Sequence, residues 1–310
     1  MILKRTLLAV ALVLALGAAA VLMVGSDTLG SYIEQVLVER ARNSGIRLSM
    51  RRASFSLLGF SAEGIDLVLP SKRLPFPIKI DTFELRPSWL SWLKLKPHIN
   101  FDGTLYYGNF EGSVTWGLLE KQGEGSFKLS GVSMRDHPFM ALGGVRSGRL
   151  GLNLENLRFN TQQAEYSDVY FSIEDLATVA IKLRAVPGLA VPAITRLQLF
   201  ASAIYSLREI EVRKFEINSS LGNLSSTAVI KPEAKPQTIE CEGLLSLSSE
   251  GLKHLGPLMS LLSSGKVQPD QGRMTFAVSG EMSSPKIEMQ PIIDTTQPAP
   301  NEGDSQAASG

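Results

Sequence analysis

The side chains best suited to metal binding, nucleophilic attack or proton transfer in this 310-residue sequence are His98, His137, His254 and the single cysteine, Cys241. A zinc or catalytic site needs several such groups gathered at fixed spacing. The three histidines lie far apart in unlike settings, and no zinc motif emerges. His137 in "RDHPF" is the most suggestive, with Arg135 and Asp136 beside it. A turn histidine before proline explains it more simply. Cys241 in "TIECEGLL" has no C-x-x-C partner and falls at an alternating position of a strand. No serine sits in a G-x-S-x-G elbow, and Gly265-Lys266 runs into Val267, so the phosphate-loop pattern fails. "GGVRSGRLG" reads as hairpin glycines. The sequence therefore predicts no catalytic, cofactor-binding or metal site, and no enzyme.

What remains is organisation. Charge is balanced, 31 Lys+Arg against 30 Asp+Glu, so no broad field favours nucleic acid. Arg47, Arg51 and Arg52 read as a solvated strand face. With one cysteine no intrachain disulfide forms, which fits cytosol or periplasm and not a small stapled secreted domain.

Lys4 and Arg5 precede an uncharged run, Thr6 to Ser26, that includes Leu7, Leu12, Leu14, Leu16, Val21 and Leu22. As a helix it reaches about 30 Å, one hydrocarbon core. A cleavable signal peptide is the alternative, because Ala18-Ala19-Ala20 offers a cleavage point. The continuation through Val21–Val24 favours an uncleaved anchor. Either way the positive charges stay in the cytoplasm and the body is exported. The expected layout is a cytoplasmic stub at 1–5, an anchor at 6–26, a β-rich domain at 27–290 and a disordered tail at 291–310.

Ser26 or Asp27 is a good N-cap, and Leu29, Tyr32, Ile33, Val36 and Leu37 follow at helical spacing until Asn43-Ser44-Gly45. That predicts an amphipathic helix packed by this stripe against the body. From Ile46 the period changes to two. Ile65, Leu67 and Leu69 alternate in one strand, and the pattern recurs through Phe110, Val114 and Trp116, then Phe127 and Leu129, then Leu150, Leu152 and Leu154. Leu245 and Leu247 repeat it, and Met274, Phe276 and Val278 end in a hairpin with Ile287 and Met289. Short strands broken by Gly, Ser, Asn and Pro over more than 200 residues predict a large antiparallel meander. Two phase changes, Ile80 to Phe83 and Val212 to Phe215, predict bulges and hence a curved sheet. Leu252 to Leu262 reads as helix, with Pro257 kinking it or splitting it in two. Residues 187–205 read as a short helix or an edge element.

The order of segments resembles a known family. "VERARNSGIRLSMRRASFS", "GFSAEGIDLVLP", "IKIDTFELRPSWLSWLKLKPHINFDGTLYYGNFEGSVTW" and the closing "GRMTFAVSGEMSSPKIEM" follow an N-terminal anchor. Together they are similar to the N component of the bacterial type II secretion system (GspN) and, more distantly, to AsmA-like periplasmic proteins. The resemblance covers roughly residues 1–290. It implies a single-pass inner-membrane protein with a periplasmic β-rich body, partnered by other secretion-system proteins, with no active-site residues to transfer. AsmA-like proteins present a greasy sheet face to lipid. The two functions to weigh are thus an accessory or assembly component of type II secretion and a lipid-binding or lipid-transfer module. For the second, the candidate surface is the apolar face of Phe110, Val114, Trp116, Phe127, Leu129, Leu150, Leu152, Leu154, Phe276 and Val278. A filled sandwich core would count against it, and an uncovered face would favour it.

Overall fold

The computed structural model describes residues 26–56, 59–69, 76–182, 190–234, 236–263, 265–268 and 272–292. The expected anchor and tail fall on 1–25 and 293–310, outside the described residues. Among the described residues no helix is long and apolar enough to cross a membrane.

Helix α1 (Ser26–Asn43) opens the described chain. Strands β1 (Arg47–Ser49), β2 (Arg52–Ser56), β3 (Gly59–Leu69) and β4 (Phe76–Ser88) follow, then helix α2 (Trp89–Trp92). Next come β5 (His98–Leu105), β6 (Gly108–Gly117), β7 (Gln122–Ser133), helix α3 (Pro138–Leu142), β8 (Val145–Asn160) and β9 (Ala164–Thr178). A two-residue pair, β10 (Ile181–Lys182) and β11 (Ala190–Val191), leads to β12 (Leu197–Ser206), β13 (Ile210–Ser219), β14 (Gly222–Lys231) and β15 (Thr238–Leu247). Helix α4 (Ser249–Leu262), β16 (Arg273–Glu281) and β17 (Lys286–Pro291) complete it.

Fifteen of these strands form one antiparallel sheet in which neighbours in space are neighbours in sequence, except that β1 pairs β3 and that β12 follows β9 across the small β10–β11 ribbon. The expected antiparallel meander is therefore present. The sheet is open and uncurled, which corrects the expected curved sheet: β1 and β2 share one edge of β3, β17 ends the other side, and the bulges do not curl it. Both phase changes read from the sequence coincide with register shifts, at Ile80/Thr82 against β5 and at Val212/Phe215 against β14. Of residues 187–205, those described from 190 onward form the end of the ribbon and nearly all of β12.

Hairpins alternate between two ends of the sheet. At one end, the base, lie α3, α4 and the entry to β1. At the other, the rim, lie α2 and the β6–β7 turn. The rim-to-base direction of α1 follows from Gly30, which sits against Ala53 and Ser54 of β2, whereas Asn43 leads into β1 at the base. A Cβ on Gly30 would lie 2.3 Å from the Ala53 carbonyl oxygen, so glycine permits this close approach.

A further expectation needs correction. The α1 stripe does not face the body, for Tyr32, Val36 and Leu37 are exposed. The helix meets the sheet instead along Gly30, Glu34, Val38 and Ala41, because small residues let the backbones come together. The side chains of Leu29 and Ile33 lie outside the described set. Helix α4 is one continuous element across Pro257, which removes the split in two and leaves the kinked alternative. Pro257 and Lys253 are both exposed, so the carbonyl that the missing N–H would have bonded turns toward water.

Candidate functional site

Residues paired across antiparallel strands share a face. Following the pairs, Ala62, Phe83, Gly103, Phe110, Leu129 and Leu152 form a row from β3 to β8. The row continues through Phe171, Ala201, Phe215, Ser226, Gly243, Phe276 and Met289 to β17. Of its thirteen positions only Ser226 carries a polar side chain. Parallel to it run Phe127–Leu154–Val169 and Leu245–Met274. All ten residues of the apolar face read from the sequence are brought to this one side.

Aromatic rings fill the first half of the face. Phe83 stacks on Phe110 at 6.2 Å, Phe110 meets Phe127 at 6.5 Å, and Phe127 meets Phe101 at 6.3 Å between ring centroids. Trp116 and Phe159 lie 5.8 Å apart. Their packing depends on glycine partners. Around the Tyr106-Tyr107 turn, Gly103 pairs with Phe110 and Phe101 with Gly112. Each ring lies across the glycine opposite, where a Cβ would come within 2.5 Å of it.

Between its two ends, where Ala62 and Met274 are enclosed, this face lacks a roof. The helices pack on the sheet at the β1–β2 edge and at the ends of the strands, and no second sheet lies against it among the described residues. Accordingly, of the ten residues only Phe110 is buried, at 8% exposure, and the other nine are half-buried. Leucines and phenylalanines inside a two-layer core are usually enclosed on all sides. Here they cover one another only edgewise.

The opposite face is hydrophilic. Hydroxyl pairs cross it, Ser54 with Ser61 at 2.6 Å, Thr82 with Thr104 at 2.8 Å and Ser113 with Ser126 at 3.2 Å. Arg86 bridges Glu84 and Asp102, and Lys128 meets Glu111. Asp168 accepts hydrogen bonds from the Asn156 amide at 2.7 Å and the Tyr166 hydroxyl at 2.9 Å, which hold its carboxyl below the ordinary range. A groove of about 610 Å³ lies on this side over β13–β17, with Lys214, Glu216, Glu242 and Glu288 among its lining residues.

The histidines are dispersed. His98 shares hydrogen bonds with Thr115 and Asn100 on the hydrophilic face. His137 is buried edge-on to Tyr106 at the base, 5.5 Å between rings. No cluster of three or more His, Cys, Asp or Glu able to hold a metal occurs among the described residues. Cys241 lies on the apolar face between Ala228 and Val278, and burial pushes its thiol pKa up.

Sequence reading missed three features. Tyr106 and Tyr107 both take positive φ, 45° and 64°, in a turn usually made by Asn and Gly. The Tyr106 ring is buried, its hydroxyl accepting from the Lys79 amide at 3.2 Å and donating to the Pro77 carbonyl at 3.3 Å. The reciprocal Phe-Gly pairing was legible as F-x-G on each side of "LYYGN". The rim displays exposed Trp89, Leu90, Leu93 and Leu119, which the repeated "WL" of "SWLSWLKL" could have signalled. Comparison of the chain with family models, with curated proteins and with solved structures gives no match.

Proposed function

We propose that this chain is a membrane-anchored periplasmic protein, non-enzymatic, whose working surface is the apolar face of the sheet and whose ligand is a lipid acyl chain. One observation carries this reading: a row with Ser226 as its one polar side chain crosses the sheet, and beyond the edge that α1 covers at Ala62 no second sheet lies over it among the described residues. Apolar surface of that extent costs free energy in water, roughly 25 cal/mol per Å². An acyl chain lies naturally along such a row of apolar side chains. The anchor would be residues 6–26 of the inner membrane, with the body on the periplasmic side.

The second reading is an accessory or assembly component of type II secretion. The order of segments around "PSWLSWLKLKP" and "GTLYYGNFEG" favours it. Here the apolar face would be covered by another secretion-system protein. The readings are compatible if the machine is the setting and lipid the ligand.

Photo-crosslinking of the full chain in cells separates them. Benzoylphenylalanine is placed at Leu152 or Phe276 on the apolar face, and at Asn153 or Thr275 on the opposite face. Phospholipid adducts at the first two positions and not at the second two are expected. Protein adducts alone at Leu152 and Phe276 would replace lipid handling with the scaffold reading.

A further inference from the structure

At the rim, α2 and the β6–β7 turn together present a cluster of apolar side chains to solvent. Leu90, Leu93 and Leu119 are 76%, 81% and 80% exposed, and Trp89, Trp92 and Leu118 are about half exposed. The cluster is built, not frayed. The Leu118 amide donates to the Leu95 carbonyl at 3.1 Å and the Trp116 amide to the Pro97 carbonyl at 2.9 Å, tying the two turns together. Trp89 and Trp92 lie 6.4 Å apart. The Ser91 hydroxyl donates to the Ser88 carbonyl and accepts from the His98 amide, holding α2 against the start of β5.

Three lysines, Lys94, Lys96 and Lys121, surround this cluster, against one carboxylate, Glu120. Glu120 is already paired with Lys96 at 3.1 Å. Tryptophan and leucine ringed by lysine match the chemistry of an anionic bilayer surface, with indoles at headgroup depth, leucines in the acyl boundary and ammonium groups on phosphates. Position agrees. Helix α1 begins toward the rim, so its first residue, Ser26, lies toward the end of the body where the cluster sits.

We propose that the rim cluster is a second membrane contact: it inserts shallowly into the leaflet that the preceding segment leaves, and so stands the sheet with its strands pointing at the bilayer. The inference rests on the membrane-anchored reading above. Its consequence is that the apolar face begins at the lipid surface, and β4 to β7 would be the first strands an acyl chain meets.

The test uses the full chain with Cys241→Ser and Leu119→Cys, labelled with nitrobenzoxadiazole and reconstituted into vesicles of phosphatidylethanolamine and phosphatidylglycerol. Leu119 is so exposed that the change leaves folding intact, which urea titration checks. Emission should shift to the blue, brighten several-fold over the detergent-solubilised protein, and be quenched by brominated lipid. The same label at Met140→Cys, at the base, should stay aqueous. Lys94→Glu with Lys121→Glu should weaken the Leu119 signal most in vesicles rich in phosphatidylglycerol. An aqueous Leu119 label on a chain that floats with the vesicles overturns the rim contact and leaves the anchor standing. A shift that grows with protein density instead of lipid would make the occupant a second copy, also overturning it. Failure of the chain to float at all would instead remove the anchored reading.

Discussion

The ring of Phe110 lies across Gly103 on the neighbouring strand, so close that a Cβ on Gly103 would sit 2.5 Å from the ring and 2.1 Å from the Thr82 carbonyl oxygen. The ring can shift, but the carbonyl belongs to a paired strand and cannot. Gly103→Ala should therefore destabilise the body by about 1–3 kcal/mol, as overpacking does. A lower urea midpoint with an unchanged slope is the expected result.

The Tyr106-Tyr107 turn makes the opposite prediction. Tyr107 takes φ 64° and is 86% exposed, so its side chain gains little from the fold while its backbone is disfavoured for an L-residue. Tyr107→Gly should stabilise by about 1 kcal/mol, the left-handed penalty less glycine's entropy. Tyr106→Gly should destabilise, because it also removes a buried ring and its two hydrogen bonds. Paired thermal or urea unfolding of the two variants checks the signs.

Acid should weaken the body through identified carboxylates. Asp168 is held low by the Asn156 amide and then by Tyr166, and Glu288 by the Lys286 ammonium. Both bind protons less readily folded than unfolded, so their contribution is present above the ordinary carboxylate range and disappears as pH falls through their folded values. Lys286 is raised by the same pair, so its share is present at neutral pH and lost only as strongly alkaline pH crosses its folded value. Urea midpoints from pH 6 downward should fall less steeply in Asp168→Asn than in the parent chain.

Cys241 is a natural reporter of the apolar face. Its half-buried thiol, pushed above its ordinary pKa by burial, should react slowly with maleimide at neutral pH, since only the thiolate attacks. If acyl chains occupy the face, alkylation of the full chain in detergent should slow further when phospholipid is added. An unchanged rate with saturating lipid would place the ligand away from β14–β16.

Much of this fold was legible in the sequence because a half-covered sheet writes its pattern plainly. Most strands from Phe110 to Val278 keep their apolar residues on one side, with Phe200 and Leu244 as exceptions, and both bulges showed as a change of phase at Ile80 and Val212. Helix α1 was found with its end at Asn43-Ser44-Gly45, yet its packing side was not. Hydrophobicity pointed to Tyr32, Val36 and Leu37, whereas close approach at Gly30 decided the contact. Whether α4 is kinked or split at Pro257 stayed open in the sequence because a proline's effect depends on whether the orphaned carbonyl reaches water, a tertiary property. The apolar face itself was read residue by residue, but its lack of a roof is a property of the whole architecture. Alternation alone cannot distinguish a sandwich half from a free-standing sheet.

Because almost every strand pairs with its neighbour in sequence, the chain has an order of assembly built in. Two-residue and four-residue turns, such as Ser220-Leu221 and Leu118–Lys121, close small loops, and no early strand must wait for a distant one. A body that emerges with β1 before β17 would zip up strand by strand. Each new strand would shelter the edge left by the last, so the aggregation-prone edge would be one strand long at any moment until β17 arrives.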